Sequence, residues 1–588
     1  MVTASEITGA VGESTLPRLL RRNATEFPDL PALTGSDTRW TWRELRDEVL
    51  AAAHGLAAVG LRRGDRMLIA MSARPEHWVV DFAAVHLGAI PCTTYATLST
   101  PQIQQVARHS GATVVVLETA SDVDRWRPAL AEMPALRAVV LLDRADDPDI
   151  RVVDYTGLVA RDHHQPELEQ QWIDSVQPDD PVAMIYTSGT TGDPKGVVLS
   201  HRNVLYQCAS TELNQPGPRH PRSVAYLPLA HVAERVLGLY MPVYTAGHVT
   251  ICSDQTRLLP TLIAVRPHGF FGVPRVWEKF AAGIQGQLSA LDDHGRAAVA
   301  AARKLAAHAY RIASTGDDVP ADLARRLAVA DQDVLRPLRE RLGLADAVRL
   351  GSGSAPVPAE VLEFFGSLGL TVMEVWGLSE TTGTATSTHP DHYRAGTVGL
   401  PVPGMEIRLA ADGEVLVRGP LVFLGYLQAD GRVEPAVDAD GWLATGDLGA
   451  LDPDGLLRIV GRKKELIITA SGKNIAPTRA ESLLRAHPLI DNAAVIGDRR
   501  PYLTALLVLD EKAAAETRIH DELTAVVDQV NAVLSRPEQI KAFHVVDRVW
   551  SPETGELTPT LKLRRQVIEQ RHAADIEALY PAPAEARP

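Results

Sequence analysis

The chain has 588 residues, 45% hydrophobic and 22% charged, with a formal net charge of −14 and three cysteines. That length favours several structural domains, each able to bury a core without covalent staples. The negative balance argues against nucleic acid as a partner. Cys92, Cys208 and Cys252 stand far apart without a CxxC pair, which argues against a disulfide framework or zinc site and for a reducing compartment. The N-terminal stretch MVTASEITGAVGESTLPRLLRRN carries Glu6 and Glu13 and no apolar core, so it does not read as a signal peptide. No apolar run reaches the roughly 20 residues that span a bilayer. A cytoplasmic protein is expected, with peripheral contact at a membrane surface left open.

Short β-branched runs alternate with amphipathic stretches through most of the first 460 residues. Examples are RMLIAM (66–71), ATVVVLE (112–118), AVVLLD (138–143) and PVAMIYT (181–187). Such alternation predicts α/β layers with largely parallel, buried strands. The last of these runs enters YTSGTTGDPKG (186–196), a loop with a phosphate-binding composition. Gly189 and Gly192 let backbone N–H groups turn inward. Thr187, Ser188, Thr190 and Thr191 offer hydroxyls, and Lys195 a point charge. A Walker loop would continue Gly-Lys-Ser/Thr directly into a helix. Here Pro194 precedes Lys195, Gly196 follows it, and VVLS predicts a strand before any helix, which should start near Ser200. The loop therefore joins strand to strand. A Gly/Thr-rich surface turn is the plainer alternative.

Residues 293–345, rich in Ala, Arg and Leu and broken by STGDD and Pro320, predict two helices in a surface insertion. GSGSAP (351–356) follows a predicted strand, and its small residues allow a flat ring to approach backbone. After about Gly455 the pattern tightens. RIVGR and ELIITASG read as strands joined by a basic turn, Pro477 opens the helix TRAESLLRAH, and AAVIG and TALLVLD read as further strands. The prediction is a compact C-terminal α+β domain, with PAPAEARP frayed.

The phosphate-loop stretch resembles the signature of the AMP-forming acyl-CoA synthetases, within the adenylate-forming enzymes. Further motifs in that family's order extend the resemblance from about residue 15 to 570. AYLPLAHVAERV (225–236) and GVPRVWEKF (272–280) lean toward the long-chain fatty acid branch. The resemblance implies that His231 sits where carboxylate, nucleotide and acyl pocket meet, although a lone histidine is more often structural. It implies adenine contact at Gly353 and Ser354. In VWGLSETTG (375–383) it sets Trp376 near adenine and Ser379 and Thr381 at the phosphates, with Glu374 and Gly377 in the same nucleotide-binding set. Ser379 stands where the usual pattern has Thr, keeping the hydroxyl. Glu380 and Thr190 would hold Mg²⁺, which needs few protein ligands when phosphates supply the rest. Asp447 in GWLATGDLG would bind the ribose hydroxyls, as acidic side chains do in other nucleotide folds. Arg462 would meet ribose or phosphate, and Lys464 would be the hinge. Lys562 in ELTPTLKLRR would be the adenylation lysine, without the Ser-Gly that precedes it in many relatives.

The implied fold is α/β: a large N-terminal domain of layered α/β subdomains (1–462) and a small mobile C-terminal α+β domain (463–588). The implied reaction joins a long-chain fatty acid to coenzyme A, with ATP and Mg²⁺, through acyl-AMP. Catalysis there is electrostatic and positional, resting on Lys562, Lys195, Glu380 and His231. Two rivals remain at this point. One is a fatty acyl-AMP ligase serving a carrier protein, although 447–475 carries no blocking insertion. The other is a catalytically dead acyl- or nucleotide-binding protein. Monomer and homodimer are both open.

Overall fold

The computed structural model describes residues 2–143, 151–160, 165–187, 194–510, 519–552, 554–558 and 561–580. The chain forms two compact units. The first holds most of the chain up to Leu443, and the second is built from Arg408–Leu416 and the chain after Ala444.

Four sheets organise the first unit. One is wholly parallel, in the order Ile90–Thr93, Arg66–Ala70, Val114–Leu117, Ala138–Leu141, Val152–Asp154. Its inner strands VVVL and AVVL are buried along their whole length, the continuous apolar run that a parallel strand covered on both faces requires. A second sheet runs Gly269–Gly272, Arg349–Ser352, Met373–Trp376 in parallel and ends in two short antiparallel strands, Thr386–Ser387 and Leu400–Pro401. A third, antiparallel, has the order Val433–Glu434, Gly425–Leu427, Lys195–Ser200, Pro181–Thr187. Met184, Tyr186, Val198 and Leu427 of this sheet share one core with Leu68, Val115 and Val139 of the parallel one. The fourth sheet pairs Arg222–Ala225, His248–Ile251, Pro31–Thr34 and Arg39–Thr41.

The Ala/Arg/Leu-rich region contains the helix Asp293–Ser314 and a second helical stretch from Ala321 to Arg341, interrupted by a π-turn at Asp331–Leu335. It is not merely a surface insertion. Ala302, Ala306, Ala309 and Tyr310 are buried, and the Tyr310 ring fits against Gly366, where a Cβ would come within 2.3 Å of it. Only a glycine admits that approach.

The second unit has the antiparallel pair Leu443–Leu451 and Leu457–Arg462, with Asp447 opposite Arg462. It also has a three-stranded sheet of Ile490–Ile496, Leu503–Leu509 and Ile540–Val546. The helix Thr478–Arg485 follows Pro477 as expected. ELIITASG, however, is not one strand. Only Ile467–Ile468 pairs, with Asn474–Ile475 across a turn at Gly472, and Lys463–Glu465 forms a single 3₁₀ turn. Among the described residues no helix is long and apolar enough to cross a membrane.

Candidate active site

The phosphate-loop stretch lies between two strands of a hairpin, with Thr187 opposite Lys195. The next helix, His201–Asn214, starts only after Ser200, whose hydroxyl accepts the Asn203 N–H at 3.1 Å. The strand-to-strand setting expected from the sequence is therefore the one observed. Ser188, Gly189, Thr190, Thr191 and Gly192 lie outside the described residues. Thr187 is half-buried and Lys195 exposed.

Lys195 and Glu380 come together through a residue that no motif singled out. Tyr426 stands on Gly425–Leu427, opposite Val197, and so diagonal to Lys195 across the strand pair. The Lys195 ammonium lies 4.6 Å from the centre of the Tyr426 ring, within cation–π range. The Tyr426 hydroxyl donates to Glu380 Oε1 at 2.7 Å. Burial, with the adjoining Glu380 charge, pushes the phenol well above its ordinary pKa, so it remains a donor at neutral pH.

The three parallel strands ending at Gly272, Ser352 and Trp376 deliver the GVPRVW, GSGSAP and WGLSETTG segments from their carboxyl ends. Ligands gather at such ends in open α/β sheets. Gly353 is needed for close packing: a Cβ there would sit 3.0 Å from Val375 Cγ2 and 3.1 Å from its carbonyl oxygen. Ser354 is exposed and left-handed, with φ 74°. Trp376 is buried. Gly377 cannot be replaced without moving backbone, since a Cβ would lie 1.6 Å from Gly383 O.

The one-turn 3₁₀ helix Ser379–Thr381 follows. Thr381 is fully buried, and its hydroxyl accepts the Leu378 N–H at 2.8 Å, so it braces the turn that presents Glu380. Ser379 is half-buried in the same turn. The Glu374 carboxylate accepts the Gly396 N–H at 3.3 Å, and Trp277 of GVPRVW is fully buried and donates to Gly351 O at 3.2 Å. Both stitch the sheet together.

His231 caps a short helix, its Nδ1 accepting the Ala233 N–H at 3.1 Å; a neutral ring then carries its proton on Nε2. The neighbouring residues anchor it. Glu234 is buried and accepts the Leu227 N–H at 2.9 Å, and burial pushes its carboxyl up to about 8. Arg235 is fully buried. Its Nη2 donates to both Asp81 oxygens at 2.9 and 2.8 Å and its Nε to the Tyr240 hydroxyl at 2.8 Å. The helix continues as a π-turn over Arg235–Tyr240, a geometry frequent near functional sites.

The remaining predicted residues belong to the second unit. Asp447 is buried after the left-handed Gly446 (φ 73°) and pairs with Arg462 Nε at 2.8 Å. Glu414 accepts the Gly446 N–H at 2.9 Å and Lys463 Nζ at 2.8 Å, and Lys463 also reaches Asp412 at 2.6 Å. Lys464 is exposed in the adjoining 3₁₀ turn. Lys562 is exposed; its N–H meets the Thr558 hydroxyl at 3.0 Å and its carbonyl accepts the Thr558 N–H at 2.8 Å. Three residues on, Arg565 makes a fork to Glu481 at 2.7 and 2.7 Å and comes within 3.8 Å of Glu465 in the 3₁₀ turn. Glu414, Lys463 and Arg565, like Tyr426, were not flagged by the sequence. Only their partners, distant in sequence, single them out.

Comparison with known proteins matches residues 20–427 to the AMP-binding enzyme model and 464–584 to the AMP-binding enzyme C-terminal domain. The chain is 36% identical over 577 residues to the long-chain-fatty-acid–CoA ligase FadD15 of Mycobacterium tuberculosis, covering 93% of each chain. It is 41% identical over 433 residues to the putative fatty-acid–CoA ligase fadD11 of the same organism, covering 70% of this chain and 76% of the other. Among solved structures it is similar to the o-succinylbenzoate CoA synthetase MenE of Bacillus subtilis in complex with its acyl-adenylate intermediate. That match has a TM-score of 0.71 and 22% identity over 95% of this chain and 98% of the other. The adenylation domain of a carboxylic acid reductase from Segniliparus rugosus matches with a TM-score of 0.75 and 19% identity, over 98% and 96%. With family models matched along most of its length and a relative matched nearly end to end, this chain belongs to the adenylate-forming AMP-binding enzymes.

Proposed function

We propose that this enzyme is a long-chain fatty acid–CoA ligase: it activates the fatty acid with ATP to acyl-AMP, releasing pyrophosphate, and transfers the acyl group to coenzyme A, releasing AMP. The observation that carries the reading is the match to a long-chain-fatty-acid–CoA ligase over 93% of both chains. It favours CoA over a carrier protein and an active enzyme over a dead binder.

The residues fit the groups this chemistry needs. Mg²⁺ prefers hard oxygen donors and takes one or two carboxylates when phosphates supply the rest. Glu380 offers such a carboxylate on a braced turn, and no larger acidic cluster is required. Magnesium held there with Thr190 would neutralise phosphate charge. Lys195 and the hydroxyls of 187–191 would bind the β- and γ-phosphates. Gly353, Ser354, Glu374, Trp376 and Gly377 form the adenine side, with Ser379 and Thr381 toward the phosphates, Thr381 acting through the turn it braces. Asp447 takes the ribose hydroxyls, with Arg462 beside it. His231 stands at the junction with the acyl carboxylate, held by the buried Glu234 and Arg235. Lys562 spans the fatty carboxylate and the α-phosphate during attack, when charge builds on both. A domain boundary at 462/463, with Lys464 as its hinge, would let the small domain withdraw Lys562 before CoA enters.

The test is product analysis with palmitate. With ATP, Mg²⁺ and CoA the products should be palmitoyl-CoA, AMP and pyrophosphate in equal amounts; without CoA, palmitoyl-AMP and pyrophosphate. A peak of activity at acetate or an aromatic acid would overturn the substrate class, and ADP as product would overturn the mechanism.

A further inference from the structure

Lys195 and Glu380 lie 185 positions apart in the chain and are joined in space by a single side chain. We infer that Tyr426 is a positioning residue of the phosphate and metal apparatus, steering Glu380 by its hydroxyl and Lys195 by its ring. The inference rests on the reading of Glu380 and Lys195 given above.

Four contacts carry it. The hydroxyl of Tyr426 donates to Glu380 Oε1 at 2.7 Å, the short length of a charge-assisted bond. The Glu380 carbonyl accepts the Phe423 N–H at 2.9 Å, so the segment 423–426 grips both the backbone and the carboxylate of one residue. The next turn is tied to the same segment, the Thr382 hydroxyl donating to Leu421 O at 2.7 Å. On its other side the Tyr426 ring lies 4.6 Å from the Lys195 ammonium. A carboxylate with one oxygen committed to a fixed donor has its plane and rotamer set. Its second oxygen can then meet a small, geometrically demanding cation without first losing rotational freedom. The long lysine side chain gains most from such a platform, because it has the most rotamer entropy to lose on engaging phosphate. Tyr426 itself is held by its strand pairing and by Phe423, whose ring centre lies 4.8 Å away.

Two substitutions separate the two functions. Tyr426→Phe removes only the hydroxyl and keeps the ring; Tyr426→Leu removes both. Equilibrium ATP binding to the full-length protein is measured with Mg²⁺ and with EDTA, alongside the melting temperature of the nucleotide-free protein. Tyr426→Phe should weaken Mg²⁺-ATP binding about three- to tenfold, a fraction of a charged hydrogen bond's worth because the bond acts on the ligand only through Glu380. It should leave binding in EDTA and the melting temperature near wild type. Tyr426→Leu should weaken binding in EDTA as well. Glu380→Gln is measured in parallel. If it lowers the Mg²⁺-dependent part of binding while Tyr426→Phe does not, the inference about Tyr426 is overturned and the reading of Glu380 stands. If Glu380→Gln has no effect, both fall. Equal losses for Tyr426→Phe with and without Mg²⁺ would also overturn it, since the hydroxyl would then be serving general structure.

Discussion

A fully buried arginine–carboxylate pair in the first unit, Arg235–Asp81, and a largely buried one in the second, Arg565–Glu481, are built differently. In the first unit Arg235 and Asp81 have no solvent exposure, and Tyr240 and Thr93 also accept from the guanidinium, at 2.8 and 3.2 Å. The pair sits behind the helix start that carries His231. In the second unit Arg565 keeps 17% of its side-chain surface exposed, forks onto Glu481, and leans on Glu465. This pair stands between Lys562 and the Lys463–Glu465 turn. An ion pair taken wholly out of water is locked, because breaking it strands a charge in apolar surroundings. A pair that water can reach can change partners at modest cost. The first arrangement suits a site that must stay fixed while substrate varies. The second suits segments proposed to change their backbone angles between half-reactions.

Removing each cation should make that contrast quantitative. Arg235→Met leaves Asp81 without its partner in the core and should lower unfolding stability by about 3–5 kcal/mol. Arg565→Met leaves the buried Glu481 with the Val495 N–H, which it already accepts at 2.8 Å, and opens to water the position that the partly exposed guanidinium held. Its cost should be nearer 1.5–3 kcal/mol, roughly the value of charged hydrogen bonds. Urea unfolding measures the totals, and hydrogen exchange assigns each loss to a unit. Equal costs would mean that the exposure of Arg565 has no energetic meaning, and the contrast would collapse.

Function should divide along the same line. Lys562→Ala should lower pyrophosphate release by about 10²–10³-fold, the usual consequence of removing one charge-stabilising donor. Thioester formation from supplied acyl-AMP should remain close to wild type. The lysine is exposed and its backbone N–H rests on the Thr558 hydroxyl, a bond that truncating the side chain leaves in place. Normal pyrophosphate release by this variant would remove Lys562 from the mechanism.

The fixed character of the first unit also has a pH signature, through Glu234. Burial raises its carboxyl from 4.5 to about 8, opposed by backbone N–H donors. Between those values the folded chain holds a proton that the unfolded chain has lost. Stability therefore falls as pH rises from about 5 to about 8, then levels off. The buried histidines His77, His86 and His201 act in the opposite direction: burial lowers them to about 3, 4 and 3, so their penalty appears only below pH 6.5. Across the window from 6.5 to 8 these histidines no longer contribute, and Glu234 still does. Glu234→Gln should flatten the melting temperature across it. An unchanged slope would show that Glu234 is ionised in the fold.

The layered α/β class, the buried strands and the strand-to-strand phosphate loop were legible in the sequence because each rests on local pattern. Runs such as VVVL carry their own signal. The pieces that position the site were not legible. Arg235 meets Asp81 across 154 positions, Arg565 meets Glu481 across 84, and Tyr426 meets Glu380 across 46. No periodicity encodes such meetings. The misread strand ELIITASG fails for a related reason. Its β-branched residues satisfy strand propensity, but Lys463–Glu465 turn before it and Gly472 reverses the chain after Ile468, so tertiary context overrides propensity.

The sharpest test of the adaptable character of the second unit is at Lys464. It is exposed and lies second in the 3₁₀ turn Lys463–Glu465, where a proline costs no helical hydrogen bond because first-turn N–H groups need no helical partner. Lys464→Pro should therefore fold. Proline fixes φ near −65° and restricts the preceding residue, here Lys463, while Lys463 is tied to Glu414 and Asp412. A hinge that turns by changing these angles would be frozen; a turn that merely connects two strands would not be affected. Acyl-AMP formation should stay within about threefold of wild type and acyl transfer to CoA should fall by more than about tenfold, the split expected when one of two conformations is removed. Lys464→Ala, which restores backbone freedom without the charge, should recover both. Equal loss of the two half-reactions in the proline variant would mean a damaged fold. No loss in either would mean that the angles of Lys464 do not change during turnover, and the second unit would then be as fixed as the first.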